Sequence, residues 1–203
     1  MWIMKIERLV LGAIEENCYI IYLDDGCIIV DPGTNDVLHY CREKQLHVTD
    51  VLLTHGHYDH IGGVDALVEA YGAIVHATKD TMRVVKDEVL NLSFRHQPLI
   101  LQSEIDIVDD DIVINNEKIH VYHTPGHVIG SCCYLFEKEK IMFSGDMLFA
   151  GSVGRVDFPG SSVEDMRKSI ALLKSLDFNC TVAPGHGDST TLQEEQKYNP
   201  YFQ

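Results

Sequence analysis

The 203-residue chain is 45% hydrophobic and 23% charged, the balance of a globular protein large enough to bury its own core. Its formal net charge of −15 repels phosphate backbones and argues against a nucleic-acid partner. No stretch approaches the roughly 18 consecutive apolar residues of a bilayer-spanning helix, so no membrane partner is expected.

The N-terminal MWIMKIERLVLG breaks its apolar pattern with Lys5, Glu7 and Arg8, which suits a strand over 3–11 and not a signal peptide. Apolar, β-branched runs predict further strands at 18–23 and 27–30, joined by a tight hairpin at 24–26. Turn residues DPGTND (31–36) precede a helix over 36–46, and a buried strand follows at 48–54. Helices at 63–71 and 78–90 flank a strand at 73–77, while 91–103, with Pro98 and weak periodicity, reads as a loop. Strands at 112–114, 118–123, 132–136 and 140–144 lead to a loop at 145–160. A helix at 162–175, a strand at 180–183 and a short closing helix or tail complete the chain. Strands followed by strand–helix alternation, twice over, imply two mixed sheets face to face with helices outside. Nothing in composition divides the chain, so residues 1–203 are expected to form one α/β domain.

The six cysteines show no CxxC spacing, and neighbours Cys132 and Cys133 point to opposite sides of their strand. They read as reduced, mostly buried thiols of a cytoplasmic protein.

The densest chemistry lies in LLTHGHYDHIGG (52–63), where His55, His57, Asp59 and His60 crowd in straight after an apolar run. Gly56, Gly62 and Gly63 keep a regular helix from forming there, and donors packed this closely point to a metal. Three more donors repeat the pattern of strand, glycine turn, ligand: His127 in HTPGH, Asp146 in FSGD and His186 in APGHG. In extended backbone, residues i and i+2 share a side, so His55 and His57 can grip one ion. Asp59 and His60, past a bend, can face a second. A shared carboxylate such as Asp146 suits the roughly 3.5–4 Å between paired metals. Nitrogen and oxygen donors without cysteine describe a catalytic site, since structural zinc sites are closed and sulphur-rich. Of the remaining histidines, read as surface or packing residues, His76 and His123 stand nearest the strand ends.

HGHYDH resembles the HxHxDH signature of the metallo-β-lactamase superfamily, and VDPG (30–33), HTPGH, SGD and PGHG match its other motifs in order. The resemblance implies the αββα sandwich of that family with a dinuclear site at one edge of the sheets. It places His55, His57 and His127 on one metal and Asp59, His60 and His186 on the other, with Asp146 bridging. The implied ions are two divalent metals, zinc first, with iron or manganese as alternatives. Asp31 then braces the metal loop from behind, or else caps the helix after Pro32.

The bridging Asp146 argues against the β-lactam-cleaving members, which lack it. LFAGSVGRVDFPG (148–160) and the PGHG…T…E…NP tail resemble short, single-domain glyoxalase II-like enzymes. That resemblance implies hydrolysis of a small-molecule thioester such as S-lactoylglutathione by a metal-bridging hydroxide, with Asp59 orienting it and taking its proton. Arg155 stands where the family has a lysine and is either a cation for a substrate carboxylate or the partner of Asp157. The stretch at 154–158 also resembles mononuclear iron persulfide dioxygenases, which is the alternative activity. A lactonase and a non-catalytic metal-binding protein are the remaining readings, the last disfavoured by seven intact ligands.

Overall fold

A computed structural model describes residues 4–203. The first sheet runs in the order β1 (Ile6–Leu11), β2 (Glu16–Leu23), β3 (Gly26–Val30), β4 (Val48–Leu52), β5 (Ile74–Ala77) and β6 (Asp106–Ile107). Its first three strands pair antiparallel and the rest parallel. Parallel neighbours need crossovers. Helix α1 (Asp36–Glu43) supplies the first, the single turn α2 (Tyr58–Ile61) with α3 (Val64–Tyr71) the second, and α4 (Lys79–Val84) the third.

The second half adds β7 (Ile112–Ile114), β8 (Glu117–His123), β9 (Cys132–Phe136) and β10 (Ile141–Gly145), then a small hairpin, β11 (Leu148–Phe149) and β12 (Ser152–Val153). Helix α5 (Val163–Ser175), β13 (Thr181–Pro184), β14 (Thr190–Thr191) and α6 (Leu192–Tyr198) follow. The second sheet is ordered β14-β13-β10-β9-β8-β7, with β10 and β13 parallel across α5.

The strands look uniformly apolar because both faces of each sheet are covered. Tyr19, Ile21, Ile28 and Val30 point between the sheets, where they meet Cys132, Tyr134, Phe136 and Phe143. Their neighbours Ile20, Cys27 and Ile29 face α1 and α3, while Cys133 and Leu135 face the side carrying α5. Tyr19 and Phe143 bridge the sheets, ring centroids 5.0 Å apart. This is the expected αββα layering. Cys132 and Cys133 do face opposite layers, and all six thiols are free and buried.

Several element bounds differ from the sequence reading. The first strand begins at Ile6, and residue 3 of the predicted strand lies outside the described residues. The helix predicted over 36–46 stops at Glu43, because Gln45 turns the chain with φ +55°. The one predicted over 78–90 stops at Val84, and the Asp87 carboxylate accepts from the amides of Val89 and Leu90 in a separate turn. Within the predicted loop 91–103, Ser93–Arg95 form a 3-10 turn, and 145–160 holds the β11–β12 hairpin. The two-residue strand β6 carries too little apolar pattern to be read from sequence.

The closing segment is a clamp. The buried Glu195 of α6 accepts from Thr190 Oγ1 at 2.7 Å, Gly151 N at 2.9 Å and Asn199 Nδ2 at 2.8 Å. It thereby fastens the hairpin to the C-terminal tail, and Phe202 buries itself beneath. Glu195→Ala would strand three donors. We expect a loss of about 3 kcal/mol in stability, measured by urea unfolding.

Candidate metal centre

The two sheets join along one edge, and the chemistry-bearing residues leave from there. Cys132 N donates to Thr54 O at 2.8 Å, and Asn17 N to Gly185 O at 2.7 Å. Asn17 Nδ2 also reaches Pro184 O at 3.0 Å and Gly187 O at 2.8 Å, so the start of β2 holds the turn bearing His186. Glycine is required where neighbouring backbone or a donor side chain comes close. A Cβ on Gly33 would lie 2.0 Å from Asp59 O, and one on Gly185 would lie 2.5 Å from Asp146 Oδ1.

The predicted donors converge. His55, His57 and His127 bring one ring nitrogen each within 4.8 Å of one another, and Asp59, His60 and His186 do the same with their donor atoms. Asp146 stands between the groups. Its Oδ2 is 3.4 Å from His127 Nε2, and its Oδ1 is 3.5 Å from His60 Nε2 and 3.8 Å from His186 Nε2. Asp59 and His60 are delivered by α2 rather than by a bend in extended chain.

Neighbouring acceptors fix which nitrogen of each ring carries hydrogen. His127 Nδ1 faces Arg155 O at 2.8 Å, His186 Nδ1 faces Ile14 O at 3.1 Å, and His60 Nδ1 faces Asp31 Oδ2 at 3.0 Å. Each ring therefore donates from Nδ1 and turns the Nε2 lone pair inward. Thr54 Oγ1 gives its proton to Asp31 Oδ2 at 2.5 Å and meets His55 Nδ1 at 3.1 Å, so His55 follows the same rule. His57 presents Nδ1 instead, 3.0 Å from His127 Nε2.

This donor set fits a metal ion. The Nε2 atoms of His55 and His60 and Oδ1 of Asp146 are buried without hydrogen-bond partners. Such atoms are costly unless something else satisfies them. Burial keeps His55 neutral and pushes His57 down to about 3. Burial opposes charge on His60 and Asp146 as well, but His60 is drawn upward by Asp59 and Asp146, and Asp146 downward by His60.

Asp31 braces His60 and Thr54; the helix-capping alternative fails, because Asn35 occupies the N-cap of α1. His76 bonds Asp50 at 2.8 Å and His123 bonds Asp109 O at 2.9 Å, and neither joins the donors. The Arg155 side chain pairs with Asp157. Sequence reasoning missed Asn17, Thr54, Glu195 and the buried Glu16, whose carboxylate lies 4.0 Å from His60 Nδ1. The one available signal was polar residues opening an apolar strand at Glu16 and Asn17. A cavity of about 390 Å³ opens over the donors, with Phe149, Arg95, Arg155 and Phe158 on its rim.

Asparagine at position 31 tolerates its left-handed φ of +51° but turns an N–H toward Thr54 or His60. Asp31→Asn is expected to weaken metal affinity about 10–100-fold, measured by competition with a chromogenic chelator. Gly185→Ala should empty the site further, read as metal per chain by elemental analysis.

Comparisons with known proteins agree with this geometry. The family model described as Metallo-beta-lactamase superfamily matches residues 11–186. The probable metallo-hydrolase YqgX of Bacillus subtilis is 34% identical, covering 98% of each chain. The hydroxyacylglutathione hydrolase GloC of Haemophilus influenzae is 31% identical, also covering 98% of each. Among solved structures, the B3 metallo-beta-lactamase BLEG-1 superposes with TM-score 0.89 at 34% identity, over 98% of this chain and 99% of that one. TTHA1623 in its di-iron-bound form gives 0.86 at 31%, over 96% and 99%. The chain belongs to the metallo-β-lactamase superfamily and is a metallo-hydrolase of it.

Proposed function

We propose that the protein hydrolyses a small-molecule thioester of the S-lactoylglutathione type, as one cytoplasmic domain spanning residues 1–203. The observation that carries this reading is Asp146, placed between two groups of three donors. Whole-length similarity to a hydroxyacylglutathione hydrolase supports the substrate class. His55, His57 and His127 would hold one ion, Asp59, His60 and His186 the other, and Asp146 both. Zinc suits these nitrogen and oxygen donors, and the di-iron relative keeps iron open. Divalent ions bound there would lower the pKa of water and polarise a carbonyl.

The chain's own residues do the rest. Asp59 Oδ2 lies 3.2 Å from His186 Nε2, the donor beside it in the same group, and the residue lines the cavity. Its carboxylate is the proton acceptor for the attacking water. Phe149 and Phe158 wall the cavity and limit water around the reacting carbonyl. The thiol leaves as a thiolate without a dedicated acid, since thiols ionise far more readily than alcohols, at about pH 8.5. Free, buried cysteines suit a reducing compartment, and no described helix is long and apolar enough to cross a membrane.

The likeness to BLEG-1 supports β-lactam hydrolysis as a second reading, and the placement of Asp146 between the donor groups counts against it. Purified protein should release thiol from S-lactoylglutathione, lose that activity to a chelator and regain it with zinc. Asp59→Asn should lower kcat at least about 100-fold. No thiol release from metal-loaded protein would overturn the proposal. Cleavage of the chromogenic cephalosporin nitrocefin would then establish the second reading, and oxygen uptake with persulfide would point to the dioxygenase.

A further inference from the structure

Two arginines stand at the rim of the metal cavity, and their surroundings differ. Arg155 donates from Nε and Nη2 to the two carboxylate oxygens of Asp157 at 2.6 and 2.7 Å, a bidentate pair that compensates its charge. Its guanidinium lies over the Phe158 ring, 4.2 Å from the centroid. Arg95 approaches the same ring at 5.7 Å, and among the described residues its side chain makes no ion pair. Around Phe158, then, two guanidinium groups meet one carboxylate. One positive charge is left over, in a chain whose net charge is −15.

That charge is tied geometrically to the chemistry. The Phe158 ring packs edge-on against His57 and His127, with centroids 5.9 and 6.0 Å away. Arg95 thus stands two ring contacts from the donor cluster, on the wall of the same cavity as Asp59 and Asp146. Its loop is anchored. Buried Asn91 donates to Leu99 O at 2.7 Å, and Leu99 N donates to Ser93 Oγ at 2.9 Å, closing residues 91–99 at the base. Tyr58, which sits between His57 and Asp59, donates its amide to Asn91 O at 2.9 Å and stacks on His96 at 4.5 Å.

We propose that Arg95 recognises an anionic group, carboxylate or phosphate, on the thiol carrier of the substrate. The proposal deepens the thioesterase reading and rests on it for where the reacting carbonyl lies. A planar guanidinium without a carboxylate partner suits either oxyanion, because its paired N–H groups match two oxygens at once. The anion lies away from the carbonyl, so Arg95 holds the bound substrate and the transition state alike. Such a contact governs KM and leaves kcat nearly unchanged.

The test is calorimetric titration of metal-loaded protein at low salt with three probes that cannot be hydrolysed as thioesters. They are S-methylglutathione, its dimethyl ester with both carboxylates masked, and desulfo-coenzyme A, which carries phosphates and no thiol. Arg95→Gln should weaken at least one anionic probe about tenfold or more and leave the ester unchanged, with Arg95→Lys keeping part of the affinity. Dependence confined to S-methylglutathione identifies a carboxylate, and dependence confined to desulfo-coenzyme A a phosphate. Wild-type and Arg95→Gln proteins behaving alike toward both anions, including neither binding, would overturn the proposal. If Arg95-dependent binding persists while S-lactoylglutathione is not hydrolysed, only the thioesterase reading fails.

Discussion

The carboxylate of Asp31 sits where β3 ends, and three donors from another part of the chain meet on it: Thr54 N, Thr54 Oγ1 and His60 Nδ1. Asp31 N in turn donates to Leu52 O, so the same residue ends the β3–β4 pairing and begins the site. Its side chain orients His60 directly and His55 through the Thr54 hydroxyl, one imidazole from each group of donors. The left-handed φ of +51° that points the carboxylate inward is one that aspartate adopts more readily than most residues. Where both donor groups lie therefore depends on one buried side chain and one uncommon backbone conformation.

Electrostatics follows from that placement. Five imidazoles and four carboxylates (Glu16, Asp31, Asp59 and Asp146) share one space, six of the nine buried while Asp59, Asp146 and His186 are partly exposed to the cavity. The outer nitrogens of four rings, His186, His127, His55 and His60, are satisfied by Ile14 O, Arg155 O, Thr54 and Asp31, while the inner Nε2 atoms of His55 and His60 and Oδ1 of Asp146 have no partner in the protein. The rim differs from the rest of the acidic surface, with aromatic walls and arginines where a substrate would enter.

Much of the fold was legible because both faces of each sheet are buried, which turns strands such as CYIIYL and CCYLF into plain apolar runs. The first four donors were legible because they crowd into six residues, and the others because each follows a strand and a glycine. What stayed hidden depends on distance along the chain. Asn17 acts on Pro184 across 167 residues and Glu195 on Gly151 across 44, and neither pairing leaves a local pattern. The early end of the helix at Val84 was hidden for a related reason: the Asp87 side chain offers the backbone a competing turn that propensity alone does not reveal. Arg155 was legible as a cation at the right place, while its pairing with Asp157 was one of two open geometries.

The spacing of the donors also bears on how the molecule comes together. His57 and His127 are 70 residues apart and Asp59 and His186 are 127 apart, drawn from both sheets. Contacts of such long range close late in folding, after the entropy of the intervening loops has been overcome. Neither the His55, His57 and His127 group nor the Asp59, His60 and His186 group is complete in one half of the chain. An ion held by all of them would act as a reporter of completed folding, captured firmly only by molecules whose two sheets have already docked.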